Sequence, residues 1–283
     1  MLDPHIIRLR FLNYWIPLFY LTEFKNHDES SCMVDFNRKL VASLACRVNS
    51  TRLYAKPLQL LDIERNISVI DYVIDYFKTV DIIDDVVLAV SEMPGNEPFI
   101  DLADRRGVSW IIGSEDDVLK RHLDAAHSVG ATDAFIITPE CPFVFSEGVD
   151  DAWERHLTHD NDVTGADALP DGAGFSITKI DALERSYEEG EIRHRTETSL
   201  FIREHPDQFK VEIIDVPDNV RRPDLRLTVD YPEDLVLCRQ VYANFRQHAP
   251  RISMKDIIIF LDENPLLKSL VEPYTEDPQI YEK

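Results

Sequence analysis

From Lys39 onward, apolar runs of strand length alternate with stretches whose apolar residues recur every three or four positions. "LVASLAC" (40–46) is the first such run. Ile67, Ile70, Ile74 and Phe77 then mark one face of a helix, and "DVVLAVS" (85–91) follows as a second strand. A helix over 97–106 leads to "VSWIIG", the third strand. "SEDDVLKRHLDAA" opens with Ser114 and Asp117 in capping-box spacing and continues with Leu119, Leu123 and Ala126 on one side. "DAFIIT" (133–138) is the fourth strand. Beyond it the pattern predicts a helix over 149–159, a glycine-containing segment "LPDGAGFSITKI", a helix from Asp181, and strands in "FKVEIIDV" and "LRLTV". Leu235, Cys238, Tyr242 and Phe245 share one face of a closing helix, and the tail reads as a helix stopped near Pro265.

Strands and helices in alternation define an α/β protein, a three-layer αβα arrangement with a mostly parallel sheet and helices on both faces. With no long polar linker and no internal repeat, one domain is expected over 39–270. An extension over 1–38 precedes it and a tail over 271–283 follows. "FLNYWIPLFYL" is too short for the ~20 apolar residues of a membrane helix and is broken by Asn13 and Pro17. Arg8 and Arg10 precede it, but it lacks a small-residue cleavage site, so a packing arm is the better reading than a signal peptide. "MVDFNRKLVASLAC" has the form of an α/β domain opening, which makes Met33 an alternative start.

The net charge of −22 argues against general binding to nucleic acid or to an anionic membrane, so an anionic ligand must be gathered by local cations. Cys32, Cys46, Cys141 and Cys238 form no C-x-x-C pair, which argues against a zinc site or a disulfide framework and fits a cytoplasmic setting.

Open α/β sheets bind ligands in the crevice beyond the carboxyl ends of their strands. Arg47 directly follows the first predicted strand, with Arg52 and Lys56 close behind; Glu140 follows the fourth, and Asp230 follows "LRLTV". Two carboxylates and a cation cluster at strand ends suit magnesium and a polyphosphate. Each residue also has an ordinary reading: Asp230 as a helix cap before Pro232, Glu140 as a solvated loop acid, the cations as a surface patch. Their coincidence favours a site.

"ACRVNSTRLYAKPL" resembles the signature loop of sugar-activating cytidylyltransferases of the spore-coat polysaccharide and CMP-sugar-acid synthetase type. Arg47, Ser50, Arg52 and Lys56 match its Arg/Ser/Arg/Lys spacing. "GSEDDVLKRHLDAA", "ITPECP", "HRTETSLFIREHPDQFKV" and "LTVDYPEDLVLCRQVY" resemble later family segments in the same order. The resemblance implies a nucleotide-diphospho-sugar transferase fold and attack of a small anionic acceptor on the α-phosphorus of CTP, with pyrophosphate leaving. It implies that Arg47, Ser50, Arg52, Lys56 and Ser114 bind the nucleotide, with Arg47 and Lys56 catalytic, and that Glu140 and Asp230 hold Mg2+. It also implies a homodimer.

This chain has Pro139 and Glu140 where the family usually shows Gly-Asp, and Asn49, Tyr54 and Ala55 where many relatives place Gly or Pro. The acceptor region reads Arg195, Thr196 and Glu197 in place of Arg-Glu-His, and Ser176 stands where an acid is common. Gly172, Gly174, His194 and Arg195 are the acceptor-binding candidates, with a capping or surface role as the alternative for His194 and Arg195. Asp234 is expected in the first turn of the following helix. His156, His159 and Asp160 read as a solvated helix end rather than metal ligands. A glycosyltransferase and a non-catalytic nucleotide-binding homologue are the competing functions.

Overall fold

Strand β1 (Leu40–Cys46) is covered on both faces, which is why it reads as an apolar run interrupted only by the buried Ser43. Side chains alternate across a strand, so Leu40, Ala42 and Leu44 join one core cluster while Val41 joins another. The computed structural model that shows this describes residues 38–275. It also describes two paired two-residue strands, Arg10–Phe11 and Tyr14–Trp15, in a separate unit, Met1–Val34. The expectations for residues 1–32 otherwise fall outside the described residues, as does the chain beyond Thr275.

The remaining sheet strands are β2 (Asp85–Ser91), β3 (Ser109–Gly113), β4 (Asp133–Ile136), β5 (Val163–Ala166), β6 (Phe175–Lys179) and β7 (Val211–Ile213). Their order is β7-β5-β6-β4-β1-β2-β3. Every pairing is parallel except those of β6, which runs antiparallel to both β4 and β5. Ser43 therefore lies opposite both Val87 and Ile136. The chain leaves β1 for β2 on one side and returns to β4 on the other, so the topological switch point falls at the carboxyl ends of β1 and β4.

Helices α1 (Val69–Phe77), α2 (Glu97–Arg106), α4 (Val149–Thr158), α7 (Pro232–Phe245) and α8 (Met254–Glu263) contribute to the core on the Leu44 side. On the Val41 side, α3 (Val118–Val129) and α5 (Ile180–Glu189) supply Leu119, Leu123, Ile180 and Leu183. Full burial of each such side chain is worth roughly 1.5–3 kcal/mol. The short α6 (Leu200–Glu204) closes a small satellite core through Phe201 and Ile202, and α9 (Pro265–Val271) follows α8 in the tail.

Four local expectations are corrected. Ile67 belongs not to α1 but to a short hairpin, Leu60–Asp62 with Ile67–Ser68. The helix starts at Val69 because Ser68 and Asp71 close a reciprocal capping box. Asp117, not Ser114, caps α3, its side chain accepting from the Lys120 N–H at 2.9 Å. "LRLTV" joins no ladder; it runs beside 171–172 through a single bridge, Asp171 to Arg226. Strand β6 was hidden in the glycine-containing segment, and β5 carries only four residues, "VTGA".

His156 is likewise not solvated. It is fully buried, with Nε2 3.0 Å from Asp133 Oδ1 and Nδ1 3.0 Å from Thr164 Oγ1. Arg38 donates to the same carboxylate, and Asp133 is held below the usual carboxylate range: burial pushes it up, but the His156 and Arg38 hydrogen bonds outweigh that. This network ties the start of β4 to α4 at the end of the sheet away from the switch point.

Candidate active site

Beyond Cys46 the chain leaves the sheet in a loop fixed by two backbone contacts. Val48 N–H donates to Asn96 Oδ1 at 2.8 Å, and Ala55 N–H donates to Val48 O at 2.8 Å. Asn96 is buried and also donates to the carbonyls of Ser91 and Met93, so it pins this loop to the one after β2. Ala55 takes a left-handed conformation (φ 50°, ψ 46°), which brings Lys56 inward at the start of a 3-10 turn, Lys56–Leu58. An L-residue pays of order 1 kcal/mol for that conformation.

The loop borders a crevice of about 770 Å3 at the switch point. Arg47, Ser50, Arg52 and Lys56 line one wall, and Thr138 to Glu140 line another. Asp230 meets them from the segment before α7. Its carboxylate accepts from Lys56 Nζ and lies 3.0 Å from an Arg52 nitrogen, and the same ammonium is 4.0 Å from Glu140 Oε1. Two residues distant in the chain, Glu140 and Asp230, thus converge on Lys56. Arg47, half exposed, pairs with Glu115 at 3.6 Å.

Asp230 is placed by a backbone relay. Val229 N–H donates to Glu140 O at 3.1 Å, and Leu227 N–H donates to Asp171 O at 2.7 Å. Gly172 (φ +86°) permits this approach, since a Cβ there would fall 2.7 Å from Thr228 N. Arg226, buried, binds Asp171 at 2.5 Å, Asp230 at 3.2 Å and Asp234 at 2.9 Å. Asp234 also accepts from the backbone N–H of Asp230 and Tyr231, so it belongs to the first turn of α7 as expected. Burial raises the Asp230 carboxyl, but Lys56, Arg52 and Arg226 outweigh it and hold the group below the usual range. Burial pushes Glu140 the other way, up, against the opposing charge of Lys56.

The acceptor candidates fall elsewhere. His194 is buried, accepting from Glu191 N–H at 2.7 Å and lying 2.9 Å from Glu204 Oε2. The Arg195 guanidinium lies 3.5 Å from the centre of the Tyr187 ring. Gly172 and Gly174 sit under tight backbone contacts, to Thr228 and to Ala166 O respectively. Ser114 precedes the crevice wall, which starts at Glu115. The facing wall is made by Thr196, Glu197, Thr198 and Ser199.

Sequence reasoning missed Arg226, Asn96 and Arg121. Arg121 is 1% exposed, donates to Cys46 O at 3.2 Å and Ala89 O at 2.9 Å, and lines the crevice. Gly113 makes room for it, because a Cβ there would meet Arg121 Cγ at 2.8 Å. Next to it, His122 is 2.8 Å from Ser43 Oγ and is pushed down to about 3 by burial, so it is neutral at pH 7. A buried Arg on an amphipathic helix was the available signal for Arg121, but "VLKRHL" reads equally well as a solvated face.

Cations and carboxylates are gathered at the switch point of an open, mostly parallel sheet, the place where α/β proteins bind ligands. The chain belongs to the cytidylyltransferase family, which it matches over residues 44–270. It is 27% identical over 233 residues to the spore coat polysaccharide biosynthesis protein SpsF of Bacillus subtilis, covering 78% of this chain and 93% of that protein. To an uncharacterised protein of Methanocaldococcus jannaschii it is 26% identical over 233 residues, covering 82% and 94%. A cytidylyltransferase structure from Leptospira borgpetersenii superposes with a TM-score of 0.73 at 21% identity, covering 81% of this chain and 96% of that one. A CMP:2-keto-3-deoxy-manno-octonic acid synthetase complexed with CTP superposes at 0.57 and 15% identity, covering 73% and 99%. These structures support the nucleotide-diphospho-sugar transferase type of fold. No helix among the described residues is long and apolar enough to cross a membrane.

Proposed function

We propose that this cytidylyltransferase couples CTP to a small anionic acceptor, a sugar acid, phosphonate or phosphorylated molecule, giving a CMP-linked product and pyrophosphate in the cytoplasm. The observation that carries this reading is the meeting of Asp230 and Glu140 at Lys56, which lines one crevice together with Glu140, Arg47, Ser50 and Arg52. An acceptor oxygen forms a bond to the α-phosphorus as the bond from that phosphorus to the pyrophosphate oxygen breaks. Arg47 and Arg52 bind the triphosphate oxygens and Ser50 donates to one of them. Lys56 supplies a buried positive charge where negative charge builds up on the leaving group, and such positioned charges are what phosphoryl-type transfer chiefly needs.

Glu140 and Asp230 fit magnesium. Both already face one cation, the Lys56 ammonium, and both are hard oxygen donors. No group of three or more His, Cys, Asp or Glu among the described residues forms a cage, and Mg2+ is commonly held by one or two carboxylates with substrate phosphates completing its shell. When bound, the ion would neutralise phosphate charge.

Arg121 and Glu115, which line the crevice, are the candidates for reading the base, one as donor and one as acceptor. Thr196 to Ser199, which also line the crevice, are the residues we assign to the anionic acceptor.

Pyrophosphate release with each of the four NTPs, with and without Mg2+, across acidic and phosphorylated acceptors tests the reading. Turnover specific to CTP, abolished in Arg47→Ala and Glu140→Gln and less selective against UTP in Glu115→Gln, supports it. CTP binding without turnover on any acceptor would favour a non-catalytic homologue.

A further inference from the structure

The carboxy-terminal tail packs against Tyr231, the residue after Asp230. After α9, the 3-10 turn Glu272–Tyr274 lays the Tyr274 ring on that of Tyr231, with centroids 4.0 Å apart and planes inclined by 13°. Tyr231 directly follows Asp230. The Arg52 guanidinium lies 5.5 Å from the centre of the Tyr231 ring while pairing with Asp230 at 3.0 Å, and the Arg226 guanidinium lies 6.0 Å from that ring. An aromatic surface thus sits between the tail and the cations of the site.

Arg52 is about half exposed, and a half-exposed ion pair does little to hold a long side chain in one place. A ring face adds a second, broad contact that favours the cation over it. The position of that face depends in turn on what lies against Tyr231. A cavity of about 530 Å3, lined by Leu237, Leu261, Val271, Arg226 and Thr275, separates part of the tail from α7. Beside this gap, the ring stack is where the tail meets the site.

We propose that Tyr274 is a positioning residue for the triphosphate loop: stacked on Tyr231, it fixes the surface on which Arg52 rests and so presents the guanidinium ready for a polyphosphate. Its effect passes through Tyr231 and Arg52, and it contacts no reacting atom. The proposal rests on the reading of the loop as a polyphosphate binder and is independent of base and acceptor.

The test is a double-mutant cycle in the full chain, read by calorimetric titration with inorganic tripolyphosphate, with melting temperatures recorded to confirm folding. Tyr274→Ala is expected to weaken binding by about three- to tenfold, from the typical strength of one stacking and one cation–π contact. Tyr274→Phe should keep wild-type affinity. In an Arg52→Ala background, Tyr274→Ala should add nothing, because the contact it supports is already gone. Undiminished binding by folded Tyr274→Ala overturns the proposal, as does an equal loss in the Arg52→Ala background, which would mark a general structural role. Failure of the wild-type chain to bind tripolyphosphate overturns it together with the loop reading. Failure of the cytidylyltransferase reading appears separately, as absence of CTP turnover by a chain that binds tripolyphosphate and shows the coupling.

Discussion

Lys56 and Asp230 lie 174 residues apart in the chain and share a charge-assisted hydrogen bond at the switch point of the sheet. The ammonium is largely buried, and Glu140 stands 4.0 Å away. Removing the cation leaves Glu140 facing Asp230 with its nearest compensating charge gone, while Asp230 keeps Arg52 and Arg226.

Lys56→Met is therefore expected to abolish pyrophosphate release and to destabilise the ligand-free chain by about 1–3 kcal/mol, less than the loss of a fully buried pair. Urea unfolding and a turnover assay check both parts. A stability equal to wild type would show that the pair contributes nothing to the fold.

Gly172→Ala is expected to cost about 2–4 kcal/mol, because a Cβ at φ +86° would press on the Thr228 backbone. The strain falls on the segment that carries Asp230, so activity should drop more than for an equally destabilising core substitution such as Leu123→Ala. Comparing the two at matched folded fraction separates these effects; equal activities would assign Gly172 to stability alone.

Asp262 is held down to about 2, chiefly by hydrogen bonds from Arg222 and then from Lys268. An unfolded aspartate titrates near ~3.9. The folded value is the lower one, so the contribution is present above about pH 4 and is lost as pH falls toward 2. Asp262→Asn should be less stable than wild type at pH 6, and the gap should close on acidification. A gap unchanged between pH 6 and pH 2.5 would contradict the assignment.

A net charge of −22 on one chain favours expansion through self-repulsion. Raising KCl from 0.1 to 1 M shortens the screening length from ~10 Å to ~3 Å. The melting temperature should rise across that range. A flat or falling curve would show that local ion pairs, such as Arg222 with Asp262, outweigh the net charge.

Much of the architecture was legible in the sequence because period and length report burial directly. Strands β1 and β2 read as apolar runs since both faces are covered, and α2 and α4 read from their spacing nearly to the residue. β5 and β6 did not. "VTGA" and "FSITK" are short and half polar, and what makes them strands is the sheet edge already in place beside them. "LRLTV" went wrong for the converse reason: it has strand propensity but no edge to join, and its Leu227 and Val229 N–H groups go to single carbonyls of Asp171 and Glu140.

Within the site, sequence by itself determined the charge chemistry: Arg47, Ser50, Arg52 and Lys56 at fixed spacing, with Glu140 and Asp230 after apolar runs. Spacing along one loop is a local property, and a chain states local properties openly. Only the tertiary structure decided which groups meet. It turned His194 toward Glu204 and Arg195 onto Tyr187, brought Arg121 and Arg226 inward, and laid Tyr274 against Tyr231. Those outcomes depend on partners from about ten residues away, as for His194 and Glu204, to 75 away, as for Arg121 and Cys46, and a charged residue on an amphipathic stretch looks the same whether it ends in solvent or in a buried pair.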